Sequence, residues 1–455
     1  MAIEAINPAT GKLIKRYEEL PDGRIAQAVE QADEAFAAWR RTGFPARANV
    51  LKAAAKMLRG RRDAFAVLMA TEMGKPVSQG RGEIDKCAWG CEYFAEHAPG
   101  FLAARPVETD GANSYVTFAP LGVILAIMPW NFPFWQVFRC AAPGLMAGNA
   151  VLLKHAANVP GCALAIEEVF RKAGLPEGLF QTLLIGQERV AGLIEHPAVR
   201  AVTLTGSERA GRAVAAQAGA ALKKTVLELG GSDPYLILED ADLEHAVEQC
   251  VASRMQNAGQ SCIAAKRMIV VDAVRERFEQ LLVERMRAQK VGDPLEEDVA
   301  VGPMARLDLR GLLHGQVTRS IAQGAVLRLG GTVPEGPGAF YPPTVLTGVA
   351  KGMPAYDEET FGPVASIVPV QNAGAAVRAA NDTRYGLSAA VFTADRSRGE
   401  QIAAESIDAG ACFVNAFVKS DPRLPFGGIK HSGYGRELSA FGIHELVNIK
   451  TVVVS

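Results

Sequence analysis

The N-terminal part of the chain follows a helical pattern of apolar positions. Over residues 24–40, apolar side chains recur at every third or fourth position, with charged residues between them. This period is typical of an amphipathic helix. Asp22 and Gly23 stand directly before the segment and provide a capping and turn signal. Alanine-rich helical patterns continue over residues 46–58 and 63–72, so the sequence predicts a helical start.

The pattern changes near residue 120, where apolar runs of strand length begin to alternate with helical stretches. Continuous apolar strands separated by helices indicate parallel βαβ units that are buried on both faces. A doubly wound, nucleotide-binding sheet is the natural interpretation. The predicted strands are residues 123–128, 150–153, 181–185, 201–204 and 225–229, and the predicted helices are residues 134–146, 162–173, 188–195 and 209–218.

A second α/β series follows the first. Its predicted strands are residues 235–238, 267–271 and 363–370, and its predicted helices are residues 243–255, 274–288 and 373–380. We therefore expect an α/β fold in which residues 1–101 and 121–230 form a Rossmann-like dinucleotide-binding domain. Residues 231–430 form a second α/β domain, and Pro- and Gly-rich loops near residues 330–343 separate its parts.

Two segments fit neither domain. Residues 107–119 alternate polar and apolar side chains, and residues 451–454 form an apolar run of strand type. Strands with no partner in their own domain often pair with another chain. We expect residues 102–120 and 431–455 to form a small β arm for oligomerisation, in a homodimer or homotetramer.

Composition and charge narrow the class of protein. The 455 residues carry 48 basic and 49 acidic side chains, which argues against a nucleic-acid surface or a polybasic membrane anchor. No apolar run is long enough for a membrane helix, and residues 1–8 lack the features of a signal peptide. The seven scattered cysteines contain no CxxC pair and suggest neither a zinc site nor a disulfide framework. A cytoplasmic protein without a metal is expected.

Three segments carry candidate chemistry. Cys262 ends Asn-Ala-Gly-Gln-Ser-Cys, a polar loop of small residues in which a thiol can be exposed. Glu228 precedes Leu-Gly-Gly in apolar surroundings that would raise its pKa. Asn131 lies between prolines in Pro-Trp-Asn-Phe-Pro. Taken singly, these three residues would be interpreted as a buried cysteine, an ion-paired acid and a turn-capping amide. Together they could attack a carbonyl, move a proton and stabilise an oxyanion.

In this order, the three segments resemble the aldehyde dehydrogenase superfamily. Asn-Pro-Ala-Thr-Gly at residues 7–11 and Pro-Phe-Gly-Gly at residues 425–428 extend the resemblance over nearly the whole chain. It implies that Cys262 forms a thiohemiacetal and then a thioester in a catalytic domain at residues 231–430. The Asn131 amide and the Cys262 N–H would form the oxyanion hole. Glu228 would activate the water that releases a free acid.

The same resemblance implies a nicotinamide dinucleotide as cofactor. Family positions that contact it correspond to Trp130, Lys154, Gly206, Ser207, Gly211, Glu359 and Phe361. Strongly NAD-selective relatives place a glutamate where this chain has Ala157. Ala157 removes a charge that would repel a 2′-phosphate, and Lys154, with His155 as a further candidate, would attract one. We expect NADP to be favoured slightly, with NAD as the alternative.

The substrate is suggested by a narrower resemblance, to the bacterial succinate semialdehyde dehydrogenase branch. Arg139 and Ser420 match residues that bind the distal carboxylate there, although Gln256 stands where a second arginine is expected. An ion pair on a helix surface would equally explain Arg139. Trp135 and nearby aromatic residues would instead suit a broad-specificity aliphatic or aromatic aldehyde dehydrogenase. A catalytically silent family member with a binding role is the third alternative.

Overall fold

The structure is a computed structural model that describes residues 2–455. Its α-helices, in chain order, are α1 (Asp22–Trp39), α2 (Phe44–Gly60), α3 (Arg62–Met73), α4 (Val77–Phe101), α5 (Trp135–Ala147), α6 (Pro160–Lys172), α7 (Val190–Glu195), α8 (Glu208–Ala220), α9 (Leu243–Met255), α10 (Asp272–Arg287), α11 (Leu307–Ala322), α12 (Pro354–Asp357), α13 (Ala373–Asn381), α14 (Arg396–Gln401) and α15 (Ser439–Glu445).

The strands are β1 (Ala2–Ile6), β2 (Leu13–Glu18), β3 (Arg105–Pro106), β4 (Asn113–Pro120), β5 (Val123–Met128), β6 (Ala150–His155), β7 (Phe180–Thr182), β8 (Val199–Thr205), β9 (Lys224–Glu228), β10 (Pro234–Ile237), β11 (Arg267–Val271), β12 (Val326–Leu329), β13 (Thr344–Thr347), β14 (Val364–Val370), β15 (Ser388–Phe392), β16 (Ala411–Val414), β17 (Gly433–Tyr434) and β18 (Val447–Val454). The prediction of an α/β fold is confirmed.

The first sheet has six strands in the order β17-β9-β8-β5-β6-β7. All neighbours are parallel except β17, which pairs with β9 in the antiparallel direction. β5 and β6 are almost entirely buried, in keeping with their continuous apolar sequences. The main hydrophobic core joins this sheet to α1, α2 and α4 through α6.

The second sheet has seven strands in the order β12-β13-β14-β11-β10-β15-β16. It is parallel apart from the edge strand β12, which runs antiparallel to β13. Two clusters of buried apolar side chains belong to it. The loop between α9 and β11 carries Cys262. It places this residue at a cavity beside the carboxyl ends of the first sheet.

The two segments that fitted neither domain pair with each other. β18 runs antiparallel to β4 over its whole length, from Val447 opposite Pro120 to Val454 opposite Asn113, and β3 adds a short third strand. Earlier residues of the 431–455 segment lie elsewhere, since β17 joins the first sheet and α15 packs against α4 and α5. Among the described residues, no helix has both the length and the apolarity to cross a membrane.

Helix α4 was not recognised in the sequence, although it is 25 residues long. Four glycines and Pro99 interrupt its apolar pattern. The structure uses two of these glycines for close contact. A Cβ on Gly80 would lie 3.0 Å from the Ala66 backbone, and one on Gly90 would lie 3.1 Å from the Trp135 ring. Close packing against α3 and α5 therefore replaces the missing side chains.

Candidate active site

Cys262 lies where two cavities meet. The first cavity has a volume of about 300 Å³ and the second about 240 Å³. Cys262 and Gln136 line both. The first cavity is also lined by Gln79, Gly82, Glu83, Lys86, Phe132, Trp135, Arg139, Gln256, Ser261, Ile263, Phe417, Lys419, Ser420 and Phe426. The second is also lined by Pro129, Trp130, Asn131, Thr205, Gly206, Ser207, Leu229, Gly230, Leu309, Glu359 and Phe361.

The loop before Cys262 is strained. Asn257, Ala258 and Gly259 have φ values of 54°, 52° and 74°, three left-handed residues in succession. Non-glycine residues adopt this region only at an energetic cost, which is common at functional sites. Gly259 also approaches the opposite backbone, because a Cβ there would lie 2.2 Å from the Gly362 carbonyl oxygen. Glycine at position 259 thus has both a conformational and a steric cause.

Hydrogen bonds join this loop to the loop that carries Asn131. The Asn131 side-chain amide donates to the Gln260 carbonyl at 3.1 Å, and the Asn257 amide donates to the Asn131 carbonyl at 2.8 Å. A side-chain amide has two N–H donors. One donor of Asn131 is therefore used to hold the loop that ends in Cys262, and the other is available to an oxygen bound beside this cysteine.

Lys266 holds the same loop through hydrogen bonds, and it was not identified from the sequence. Its buried ammonium donates to the Ser261 carbonyl at 3.0 Å and to the Cys262 carbonyl at 2.6 Å. It also lies 3.4 Å from the Glu359 carboxylate. A lysine directly before the apolar strand β11 was the only signal in the sequence. Its position fixes the backbone of Cys262 and links it to a residue of the second cavity.

The Cys262 side chain is partly exposed to the two cavities, but the surrounding protein removes most water from its thiol. This desolvation raises the pKa of the thiol to about 12, and the positive charges of Arg139 and Lys266 offset only part of the effect. The resting thiol is therefore protonated at neutral pH, so that a base must remove its proton before it attacks an electrophile.

Glu228 is more deeply buried than its sequence context suggested. It ends β9, is 2% exposed, and neither carboxylate oxygen has a hydrogen-bond partner among the described residues. Burial, followed by repulsion from Glu437, raises its pKa well above the ordinary value, while Arg139 and Arg436 oppose the shift. Glu228 lines neither cavity as they stand. Burial therefore favours the protonated form of this carboxyl.

Arg139 is buried on α5 and does not form a surface ion pair. Its Nε lies 2.5 Å from a carboxylate oxygen of Glu437, and its Nη2 donates to the Thr205 hydroxyl at 3.3 Å. The guanidinium also lies 4.7 Å from the centre of the Phe426 ring. Arg139 therefore faces the first cavity with its charge already balanced by a buried carboxylate.

The second cavity opens at the carboxyl ends of the first sheet. Trp130 follows β5, Gly206 and Ser207 follow β8, and Gly230 follows β9. The Trp130 and Phe361 rings meet edge to face at 5.8 Å and 88°. Ser207 caps the 13-residue helix α8 by accepting from Ala210 N–H at 3.3 Å. This edge of an open α/β sheet, with a helix N-terminus beside it, suits a dinucleotide.

The remaining predicted cofactor residues lie around this cavity. Glu359 lines it and accepts from Gly231 N–H at 3.1 Å. Lys154 is the next-to-last residue of β6 and is half-buried, with its pKa lowered by burial, and Ala157 is exposed just beyond the strand. Gly211 lies one turn into α8, where a Cβ would come within 2.5 Å of Leu229. Its contact is with protein, and it does not line the cavity.

The suggestion that His155 attracts a phosphate was wrong. The ring is buried, and its Nε2 is 2.9 Å from the Pro133 carbonyl oxygen. Burial lowers the His155 pKa to about 4, so the ring is neutral near pH 7. Since a neutral ring supplies no charge, Lys154 is the cation that this segment presents.

The predicted substrate residues Trp135 and Ser420 meet in the first cavity. The Trp135 indole N–H donates to the Ser420 hydroxyl oxygen at 3.0 Å. Lys86 of α4 donates to the same oxygen at 2.8 Å and lies 4.6 Å from the centre of the Trp135 ring. Lys86 was not singled out in the sequence, because α4 was not recognised and a lone lysine resembles any solvated one.

Cys262 is thus shared by one cavity beside α4 and α5 and by a second cavity at the carboxyl edge of a parallel sheet. The model of the aldehyde dehydrogenase family matches residues 1–452. The chain belongs to this family.

Similar proteins support the same placement. The chain is 50% identical over 455 residues, all of both chains, to a "probable succinate-semialdehyde dehydrogenase" for NADP(+) from Synechocystis sp.. It is 49% identical to the Escherichia coli succinate semialdehyde dehydrogenase for NAD(P)+, with 98% of this chain and 97% of the relative covered. The crystal structure of succinic semialdehyde dehydrogenase from Streptococcus pyogenes with NADP+ is 38% identical, with a TM-score of 0.97 and both chains covered fully.

Proposed function

We propose that this protein oxidises succinate semialdehyde to succinate with NADP, and accepts NAD less well. The observation that carries the proposal is the full-length identity, near one half, to proteins named for this reaction. The first cavity is consistent with it, because it offers cationic and hydroxyl donors beside an apolar wall. A carboxylate on a short substrate needs such donors.

The proposed reaction begins at Cys262. After a base removes its proton, the sulfur adds to the aldehyde carbon and forms a thiohemiacetal. The free Asn131 N–H and the Cys262 backbone N–H stabilise the oxygen that becomes negative. A bound nicotinamide supplies the acceptor for the hydride that leaves this carbon. The product of the step is a thioester on Cys262.

Water then releases the acid. Glu228, in its ionised form, takes a proton from the water that attacks the thioester. Its raised pKa makes it a stronger base than an exposed glutamate. Gly427 leaves room beside it, since a Cβ there would lie 2.6 Å from a Glu228 oxygen. The carboxylate would move from its buried position toward Cys262 to act.

The preference for NADP rests on the end of β6. Lys154 offers a cation, and the exposed Ala157 leaves space beside it without adding a negative charge to that of Glu188, which already acts on Lys154. A 2′-phosphate requires both. Relatives named for NADP(+) or NAD(P)+ support the same preference.

One panel of aldehydes, run with each cofactor, tests the proposal. We expect kcat/KM for succinate semialdehyde to exceed that for hexanal, and NADP to give the higher value. A higher value for hexanal would favour the alternative, a broad-specificity enzyme. The aromatic residues Phe132, Phe417 and Phe426, which line the first cavity, give that alternative its support.

We also propose a homodimer or homotetramer in a reducing cytoplasm. The strand β18 leaves one edge without a partner strand among the described residues and exposes Ile449 and Val453. Such an edge favours pairing with a second copy. All seven cysteines are free thiols, which suits a reducing compartment.

A further inference from the structure

We propose that Lys86, together with the Ser420 hydroxyl, holds the distal carboxylate of the aldehyde in the first cavity. This inference rests on the proposed function and assigns its substrate selectivity to a residue of α4. Gln256, which lines the same cavity, is uncharged and supplies no cation there.

The position of Lys86 suits a group at the far end of the substrate. Lys86 and Cys262 line the same cavity. Within that cavity, Lys86 lies against the Ser420 hydroxyl and the Trp135 ring. An aldehyde whose carbonyl carbon is at the Cys262 sulfur would extend its carboxylate through the cavity to this group.

Hydrogen-bond counting shows that Ser420 has a donor to offer. Its hydroxyl oxygen accepts from the Lys86 ammonium and from the Trp135 indole N–H. A serine hydroxyl has two lone pairs and one proton, so its O–H remains free to donate. The ammonium has further protons of its own. A carboxylate placed beside both would receive two hydrogen bonds, one of them charge-assisted.

No carboxylate among the described residues forms an ion pair with Lys86. Glu83, one turn earlier on α4, is occupied, because it accepts from Phe134 N–H and Trp135 N–H and pairs with the buried Lys75. Asp421 pairs with Arg423 at 2.7 Å. The charge of Lys86 is therefore available to a bound anion.

Arg139 is less suited to this role than Lys86. Its Nε is paired with Glu437 in a buried position, and Glu437 lies close enough to Glu228 to raise its pKa. If Arg139 turned to a substrate carboxylate, Glu437 would lose its counter-charge inside the protein, which is costly. Lys86 can bind an anion without such a loss.

The charge state of Lys86 should make binding of the carboxylated aldehyde depend on pH. Burial, and then repulsion by Arg139, lower its pKa to about 8, against the opposing influence of Cys87, Asp421 and Glu83. Lys86 is charged at pH 7 and loses its proton above pH 8. Binding of a carboxylated aldehyde should weaken over that range, whereas binding of an uncharged aldehyde of equal length should not.

The test compares succinate semialdehyde with butanal, which has the same carbon chain and no charge. Lys86→Met should lower the ratio of kcat/KM for the two substrates by about 10- to 100-fold, the usual worth of a hydrogen bond to a charged group. The loss should appear mainly in KM, and succinate should become a weaker inhibitor by a similar factor. Lys86→Gln should act in the same direction and guards against a folding defect in one variant.

Two further variants separate charge from structure. Lys86→Arg should keep the preference for succinate semialdehyde and remove its decline above pH 8, because arginine does not lose its proton. Lys419→Met removes the exposed lysine that lines the same cavity. If Lys419→Met abolishes the preference and Lys86→Met keeps it, the proposal is overturned.

The ratio of kcat/KM for succinate semialdehyde and butanal in the wild-type enzyme tests the proposed function separately from the role of Lys86. If the unmodified enzyme shows no preference for succinate semialdehyde over butanal, the proposed function fails. If it shows the preference and Lys86→Met retains it with an unchanged pH profile, only the role of Lys86 fails. Thermal unfolding of each variant establishes that the kinetic differences belong to folded protein.

Discussion

The buried environment of Cys262 sets its resting reactivity. With a thiol pKa of about 12, the thiolate fraction rises about tenfold for each pH unit over the neutral range, far below the pKa. We therefore expect the rate of Cys262 labelling by iodoacetamide to rise steeply from pH 7 to pH 9 without a plateau. Mass spectrometry of the labelled peptide measures it.

The control for this labelling is Cys262→Ser. Cys412 is the other half-buried cysteine, and labelling that survives the substitution would belong to it or to other sites. A plateau at or below pH 8 would contradict the prediction, because it would indicate a thiolate already stabilised in the resting enzyme.

Glu228 should separate the two halves of the reaction. Glu228→Gln keeps the shape of the side chain and removes the base, so hydrolysis of the thioester should slow by about 100-fold or more. Reduced cofactor should then appear in a burst of about one equivalent per active site, measured by stopped flow. The variant Glu335→Gln, which changes an exposed glutamate of a loop, should show no burst. Slow turnover without a burst in Glu228→Gln would place its action before the thioester.

The same substitution should change stability in a pH-dependent way. The folded-state pKa of Glu228 is raised, so the fold favours the protonated carboxyl. As pH rises above the unfolded pKa, ionisation of this group destabilises the fold progressively until the folded pKa is passed. Glu228→Gln removes that cost. Its melting temperature should exceed that of the wild type at pH 8, and the difference should shrink at pH 5.

Ala157 is the residue to change for cofactor choice. Ala157→Glu places a carboxylate just beyond Lys154, where it would repel a 2′-phosphate and could accept from a ribose hydroxyl. KM for NADP should rise more than KM for NAD, measured at saturating aldehyde. Ala157→Gln, of similar size without the charge, is the matched control. Equal changes for both cofactors would mean that the 2′-phosphate binds elsewhere.

Among individual residues, the sequence identified those that belong to short local motifs. Cys262 and Asn131 could be selected because their neighbours form short, characteristic runs, and the structure places both beside the same cavity. Lys86 could not, since its contact with Ser420 joins distant segments, and Lys266 could not, since nothing in its local sequence marks its contacts with the Cys262 carbonyl and Glu359. His155 was misjudged for the same reason: only the fold shows that its ring is buried against Pro133.

Among the secondary-structure elements, the loop that ends in Cys262 depends on one glycine. Gly259→Ala would add a Cβ 2.2 Å from the Gly362 carbonyl oxygen at a φ of 74°. We expect a loss of about 2 kcal/mol in the free energy of unfolding, in line with strained left-handed residues. Denaturant unfolding measures it, and kcat should fall because the Cys262 backbone must shift.

The control is Gly311→Ala on α11. Gly311 is exposed within a helix, and a Cβ there would meet nothing within 4 Å. Alanine should stabilise the protein at this position by about 0.5–1 kcal/mol. If the two variants behaved alike, the steric account of Gly259 would be wrong.

Helices and strands whose apolar positions repeat regularly were predicted well. Those whose repeat is interrupted were not. The prediction of a helix over residues 243–255 and of a strand over residues 267–271 agrees with α9 and β11 at both ends. In α4, glycines pack against α3 and α5 and hide the helical period. The local sequence pattern therefore did not predict the helix that carries Lys86.

The whole molecule brings the site together from both α/β units. The first sheet supplies Asn131 and Glu228 from the ends of β5 and β9, and the second unit supplies Cys262 and Glu359. Lys266 joins the two contributions through its contacts with the Cys262 carbonyl and Glu359. A change in the relative position of the two units would separate Cys262 from Asn131.

The arm formed by β3, β4 and β18 is where association with a second copy should occur. Ile449 and Val453 are 60% and 54% exposed on the outermost strand, β18. Ile449→Asp combined with Val453→Asp would place two charges in any contact made there, without disturbing pairing to β4. We expect size-exclusion chromatography with light scattering to show a fall from a multiple of 48.3 kDa to the monomer mass. Leu222→Asp changes a residue that is 95% exposed outside the arm and should leave the mass unchanged. A monomeric wild type, or a double variant of undiminished mass, would remove β18 as the contact surface.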